Sequence, residues 1–177
     1  MRTLPLPAVL TTALLVALAS CAPTPAPRPA SRPAPVAPRT PLAAPAPLPQ
    51  DWRDWPRTPG DWVYRQDARG SIALFGAVGM DAELTLRCDR NARQLYLSRR
   101  GTASSAPITI RTSSLLRSLP AAPAGDSGYL ATAIAPGDPL LDAMGYSRGQ
   151  FVIEQPGLPT LVVPAWAEIL RVTEDCR

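Results

Sequence analysis

The stretch AELTLRC (Ala82–Cys88) alternates between apolar and polar side chains. Successive side chains of an extended strand point to opposite faces, so Leu84, Leu86 and Cys88 share one face and the residues between them share the other. This period of two predicts a β-strand whose apolar face lies against a core. Cys88 is therefore expected on the core face.

Short segments of the same kind surround this strand and predict a mostly β domain over residues 51–177. Trp62–Gln66 and Ser71–Phe75 form a predicted hairpin across the turn Asp67–Gly70. Between Ser118 and Gly128 the sequence predicts a loop. Further strands are predicted at Gln94–Arg99, Pro107–Thr112, Tyr129–Ile134, Gln150–Glu154 and Thr160–Val163.

Two helices are predicted in the last third of the domain. Asp138 followed by Pro139 is a favourable helix start, so Asp138–Met144 is expected to be a short helix. Ala165–Asp175 is expected to be a second helix, because its apolar residues recur at helical spacing. Cys176 continues the apolar face of that helix.

The N-terminus has the features of a secretory signal. Met1–Thr3 is short and basic, and Ala8–Ala19 is apolar but too short to span a bilayer. Small residues then lead directly to Cys21. This arrangement resembles the bacterial lipoprotein signal, which implies cleavage after residue 20 and acylation of Cys21 by diacylglycerol and an amide-linked chain such as palmitate. More than one acyl chain gives stable anchoring.

The same resemblance implies where the protein is anchored. Ala22, rather than Asp, follows Cys21, and this favours the periplasmic face of the outer membrane, with the inner membrane as the alternative. Residues 22–50 contain eleven prolines, which favour an extended polyproline tether. The tether and signal hold four arginines and no acidic residue, so the net charge of +4 belongs to them.

The domain itself is formally neutral. From residue 51 onward it has fourteen arginines and fourteen acidic residues. A nucleic-acid partner is therefore not expected, because such partners bind strongly basic surfaces. The expected partners are the membrane, through the lipid anchor, and peptidoglycan or an envelope protein.

Two cysteines remain for a disulfide once Cys21 is acylated. An exported protein enters an oxidising compartment, so Cys88 and Cys176 are expected to form a disulfide. Their bond would hold the C-terminal helix to the core face of the Cys88 strand. In the chain-entropy model, a loop of this length stabilises the fold by roughly 4 kcal/mol.

Two local patterns are typical of hydrolases, but the residues that they need are missing. Gly145–Gly149 matches G-x-S-x-G, and Gly125–Gly128 reads GDSG. A nucleophilic serine needs a basic partner, usually His or Lys, and the chain contains neither. The lack of histidine also removes most zinc sites. We therefore expect no enzyme, no metal site and no cofactor.

A tryptophan cluster opens the domain, with Trp52, Trp55 and Trp62 in eleven residues. These rings either pin the edge of the domain to its core or form an exposed aromatic platform for a glycan or partner protein. Arg99 and Arg100 are candidates for binding an anionic group, since guanidinium groups pair bidentately with such groups. The alternative for these arginines is the solvated end of a hairpin.

The L-x-L-R-C strand, the strands that follow it and the helix ending in Cys176 resemble small exported β-domains. The likeness is to the periplasmic VasI-type proteins associated with type VI secretion and, more loosely, to invasion-associated locus B proteins. The general layout is also similar to lipoproteins of GC-rich alphaproteobacteria. The resemblance implies a small β-sandwich-like domain with one disulfide and carries over no catalytic residue.

These observations together predict a membrane-tethered, non-enzymatic binding or structural module of the cell envelope. One alternative is an inhibitor of a lysozyme-like lytic enzyme, with Ala121–Gly128 as the inserted loop. A second is a carboxylate-dependent glycan hydrolase, which would need two of the four glutamates in one site.

Overall fold

Alternating segments pair into two antiparallel sheets in the computed structural model, which describes residues 50–102 and 105–177. The expected signal peptide, Cys21 and the tether as far as residue 49 lie outside the described residues. The strands are β1 (Asp61–Asp67), β2 (Gly70–Gly76), β3 (Leu84–Asp89), β4 (Gln94–Arg100), β5 (Ile108–Arg111), β6 (Leu116–Leu119), β7 (Ala122–Pro123), β8 (Tyr129–Ile134), β9 (Gln150–Glu154) and β10 (Leu161–Pro164).

The larger sheet has six strands in the order β1-β2-β3-β4-β8-β7. Its centre is the predicted Cys88 strand, and Leu86 of β3 lies opposite Leu97 of β4. Leu84, Leu86 and Cys88 are fully buried, as the period of two predicts.

The smaller sheet has four strands in the order β10-β9-β5-β6. Buried residues of both sheets, among them Phe75, Leu97, Ile110 and Phe151, belong to one hydrophobic core. The mainly β, sandwich-like fold expected from the sequence is therefore confirmed.

One local expectation is wrong. Ser118–Gly128, predicted as a loop, contains the end of β6 and the two-residue strand β7. Both strands lie at sheet edges, where only one neighbour constrains the sequence, and β7 includes Pro123, which lacks an N–H donor. Neither segment has the alternating pattern that identifies a half-buried strand.

Two helices complete the domain: α1 (Pro139–Gly145) and α2 (Ala167–Glu174). The Asp138 side chain caps α1 by accepting a hydrogen bond from the Leu140 amide at 2.8 Å. Helix α2 packs against β1, β2 and β3. The disulfide Cys88–Cys176, with Cα atoms 5.5 Å apart, joins the end of α2 to β3 as predicted. Among the described residues, neither helix is long and apolar enough to cross a membrane.

Candidate functional site

The three predicted tryptophans do not form one surface. Trp62 is only 6% exposed, contacts the Phe75 ring at 5.4 Å between centroids, and donates its indole N–H to the Pro164 carbonyl at 2.9 Å. It belongs to the core, as expected for a large aromatic residue on the inward side of β1. An exposed platform that includes Trp62 is therefore excluded.

Trp52 and Trp55 are half-buried in the short turn before β1. The Gln150 side-chain amide fixes this turn, because its nitrogen donates to the carbonyls of Trp52, Arg53 and Trp55 at 3.1–3.2 Å. The guanidinium group of Arg53 lies 5.0 Å from the Trp52 ring centroid. The turn is thus held against β9 of the smaller sheet.

Arg99 and Arg100, also predicted as binding residues, face different surroundings. They are neighbours on β4, and adjacent strand residues point to opposite faces. Arg99 shares the inward side with Leu97 and is 1% exposed. Arg100 forms an ion pair with Glu83, and this pair raises the pKa of the Arg100 guanidinium.

A groove of about 500 Å³ lies on the outer face of the larger sheet. Because side chains alternate along a strand, the residues between the buried core positions of β2, β3, β4 and β8 face solvent and line the groove. Several of these outward residues are apolar or aromatic. The central lining residues are Ile72, Leu74, Thr85, Tyr96, Ser98 and Ala131.

Tyr129 and the loop before it form one wall of the groove, together with Ala124 and Ser127. Burial and the nearby Asp81 carboxylate raise the pKa of the Tyr129 hydroxyl above its ordinary value. That hydroxyl donates to the Ala82 carbonyl at 2.7 Å, which fixes the ring at the groove edge.

Two arginines close the opposite end of the groove, each with its own carboxylate. Arg87 contacts Asp67 at 2.8 Å and Arg69 contacts Asp89 at 2.7 Å. Hydrogen bonds from these arginines hold the pKa values of both aspartates below their ordinary range. The groove lining itself contains no Asp or Glu among the described residues.

The two hydrolase-like patterns lie in structural turns. Ser147 is buried, donates its hydroxyl to the Gln150 carbonyl at 2.5 Å and accepts from the Ser113 amide at 3.0 Å. Gly145 ends α1 where an added Cβ would meet Leu170 at 2.3 Å, so glycine allows α1 to approach α2. Ser127 donates to the Ala124 carbonyl within its own loop.

The glutamates are dispersed and mostly paired with arginines. Glu83 pairs with Arg100, Glu154 with Arg111 and Glu174 with Arg177. Across the described residues, no group of three or more acidic or cysteine side chains is placed to hold a metal ion.

Sequence reasoning missed the outer-face groove, although β2 carries a signal for it. Ser71–Phe75 is apolar on both faces after its first residue, whereas a strand with one solvated face alternates. Ile72 and Leu74 are the outward members of this run. Their apolar side chains are half-buried and form part of the groove floor.

The chain matches no protein-family model, no curated protein and no solved structure. The structure defines it as a disulfide-bonded β-sandwich-like domain with an open groove on its larger sheet.

Proposed function

We propose that this protein is a lipid-anchored, non-enzymatic binding module of the cell envelope whose ligand lies in the outer-face groove. The groove is the observation that carries the proposal. It combines an apolar floor with a few polar groups, which is the usual composition of a small-molecule or glycan site. Among the described residues its lining contains no Asp or Glu, whereas a glycan hydrolase uses a pair of carboxylates.

The groove chemistry favours a peptidoglycan fragment as the ligand. The rings of Tyr96 and Tyr129 offer apolar surfaces against which sugar rings pack, and Thr85 and Ser98 add hydroxyl groups for hydrogen bonds. Arg69 and Arg87 at the end of the groove pair with Asp89 and Asp67, and the other N–H groups of each guanidinium suit hydrogen bonds to the carboxylates of a stem peptide. A ligand with alternating sugar and acidic peptide parts matches this order of groups.

Binding of soluble disaccharide-peptide fragments to the full-length protein tests this proposal. Leu74→Arg places a charge in the groove floor and is expected to weaken binding by about tenfold or more. Leu116→Arg is the matched control, because Leu116 is an exposed leucine on β6 of the smaller sheet. Equal affinity in both variants, or no binding by the wild type, would exclude the groove as a peptidoglycan site.

The anchor is tested separately. Wild-type protein is expected to incorporate labelled palmitate and to sediment with membranes, whereas Cys21→Ser is expected to lose both properties. Sucrose-gradient separation of the two membranes then distinguishes the outer membrane from the inner. Release of the wild-type protein with the soluble periplasmic fraction would contradict the anchored assignment.

Inhibition of a lytic enzyme is a second candidate, favoured by the loop beside the groove. Residues 122–127 are exposed throughout, and Gly125 and Gly128 adopt positive φ angles of 58° and 74° that turn the chain sharply. A loop of this kind suits insertion into an enzyme cleft. Lysozyme activity measured with increasing protein at low salt tests it, and unchanged activity at excess protein would exclude it.

A further inference from the structure

A second cavity, of about 640 Å³, opens where β4 ends beside the turn between β9 and β10. It is distinct from the outer-face groove, and the two share no lining residue. Its wall is largely apolar, with Pro59, Met80, Leu158 and Leu161 among its residues, and Arg99 lies in the same wall.

The Arg99 guanidinium in this wall is a buried cation whose hydrogen bonding is incomplete. It donates to the Pro159 carbonyl and, at a long 3.5 Å, to the Ile153 carbonyl, while its Nε–H has no hydrogen-bond partner. No ion pair joins it to a carboxylate in the described part of the chain. Burial lowers the pKa of Arg99, and the nearby Glu83 carboxylate offsets only part of that shift.

The one carboxylate in the cavity wall is already used. Glu83 forms its ion pair with Arg100, which lines the same cavity. The lining therefore contains two arginines and one acidic residue, which leaves it a net charge of +1. A buried charge is normally paired, because the loss of its hydration is costly.

We propose that this cavity binds a small organic carboxylate whose charged group pairs with Arg99 and whose apolar part packs on the cavity wall. A carboxylate supplies a negative charge beside Arg99 and accepts hydrogen bonds from the N–H groups of the planar guanidinium that have no partner. The surrounding Pro, Met and Leu side chains favour a short hydrocarbon body over a fully hydrated anion. The hydroxyl groups of Thr58, Thr102 and Thr160 add polar contacts.

Hexanoate is a suitable probe, and hexanamide is its neutral counterpart of the same shape. The experiment measures the affinity of the full-length protein for each by ligand-observed NMR. Hexanoate is expected to bind about tenfold or more tightly than hexanamide, since a hydrogen-bonded charge is stronger than a neutral pair. Equal binding of the two, or no hexanoate binding, would overturn the proposal.

Arg99→Gln tests the residue itself, because glutamine keeps a polar amide at this position but removes the charge. This variant is expected to lose the preference for hexanoate over hexanamide. The control Arg65→Gln, at an exposed position of β1 outside the cavity, is expected to keep that preference. If Arg99→Gln does not fold, Thr160→Trp tests the site instead. Thr160 is an exposed residue of the cavity lining, so the indole ring is expected to block the opening and abolish hexanoate binding. Hexanoate affinity that survives Thr160→Trp would place the ligand elsewhere.

Inorganic phosphate distinguishes the class of anion. It is expected to compete with hexanoate only weakly, because it lacks an apolar part. Phosphate that displaces hexanoate at equal concentration would overturn the assignment to organic carboxylates. If peptidoglycan fragments do not bind at the outer-face groove, the hexanoate experiment still tests this cavity, because the two sites share no lining residue.

Discussion

The two sheets differ most in their outer faces. On the larger sheet, Ile72 and Leu74 of β2 and Tyr96 of β4 are half-buried and line an open groove. On the smaller sheet, all four residues of β10 and the first four of β9 are buried. The larger sheet therefore has an open groove on its outer face, whereas the outer residues of β9 and β10 in the smaller sheet are covered by protein.

The turn before β1 accounts for much of this difference. Gln150 of β9 holds the turn through three carbonyls, and Thr58 exchanges two hydrogen bonds with Val162 of β10 at 2.9 and 3.0 Å. Trp52 and Trp55 belong to this segment. Two of the three tryptophans that suggest a binding surface in the sequence thus lie in the segment held against β9 and β10 of the smaller sheet.

The largest expected effect comes from the disulfide, which joins the C-terminal end of α2 to β3 of the larger sheet. The double variant Cys88→Ala/Cys176→Ala is expected to lose about 2–5 kcal/mol of unfolding free energy. Without the bond, the end of α2 is held by weaker contacts, such as the 2.6 Å hydrogen bond from Tyr64 to Asp175. Urea unfolding measures the loss. The wild type should show the same loss in reductant, whereas the double variant should not respond to reductant.

Gln150→Leu is expected to release the turn that covers the smaller sheet. Three backbone carbonyls lose their shared donor, so the free energy of unfolding should fall by about 1–3 kcal/mol. The tryptophan emission should also shift to longer wavelength as Trp52 and Trp55 become more hydrated. Gln66→Leu, at an exposed position on β1, is the control and should change neither quantity. An unshifted spectrum for Gln150→Leu would mean that the turn is held by other contacts.

A matched pair of substitutions tests the contrast between the two outer faces directly. Val162 on β10 is 5% exposed and Val63 on β1 is 45% exposed. Val162→Thr buries a hydroxyl group and is expected to cost about 1–2 kcal/mol, whereas Val63→Thr should cost less than about 0.5 kcal/mol. Thermal unfolding of both variants measures the difference. Equal costs would show that the smaller sheet is open to solvent.

Most of the fold could be predicted from the sequence, because alternation identifies strands with one buried face. The same alternation that places Leu95 and Leu97 inward also places Arg99 inward, so the separation of Arg99 from Arg100 was predictable in principle. The pairing of Glu83 with Arg100 was not, because it depends on which strands become neighbours. The edge strands β6 and β7 have no such pattern and were missed.

The candidate sites were less predictable than the strands. The outer-face groove joins residues of β2, β3, β4 and β8 with a loop, and its shape depends on sheet curvature, which no local pattern records. The Arg99 cavity depends on the turn between β9 and β10, whose Leu158 side chain packs against Gly101 at the end of β4. Leu158 and Gly101 are far apart in the sequence, so their contact depends on how the strands are arranged and not on a local sequence pattern.

The smallest expected effect concerns Asp138, at the connection from the larger to the smaller sheet. This carboxylate caps α1 and forms an ion pair with Arg117 of β6. Burial alone raises the pKa of Asp138, but the hydrogen bonds from Arg117 and the Leu140 amide outweigh it, so the pKa lies below its ordinary value of 3.8. Asp138→Ala is expected to cost about 0.5–2 kcal/mol at pH 7, and Asp138→Asn less, because asparagine also caps helices.

The direction of the pKa shift fixes the pH dependence of this contribution. A carboxylate whose pKa is lower in the folded state stabilises the fold fully above its unfolded pKa of about 3.9 and loses that contribution as pH falls through the folded value. The difference in unfolding free energy between wild type and Asp138→Asn should therefore be constant from pH 7 to pH 5 and shrink below pH 4. Chemical denaturation across this range measures it. A difference that grows on acidification would mean that Asp138 is held protonated in the fold, and that the link to β6 is a neutral hydrogen bond.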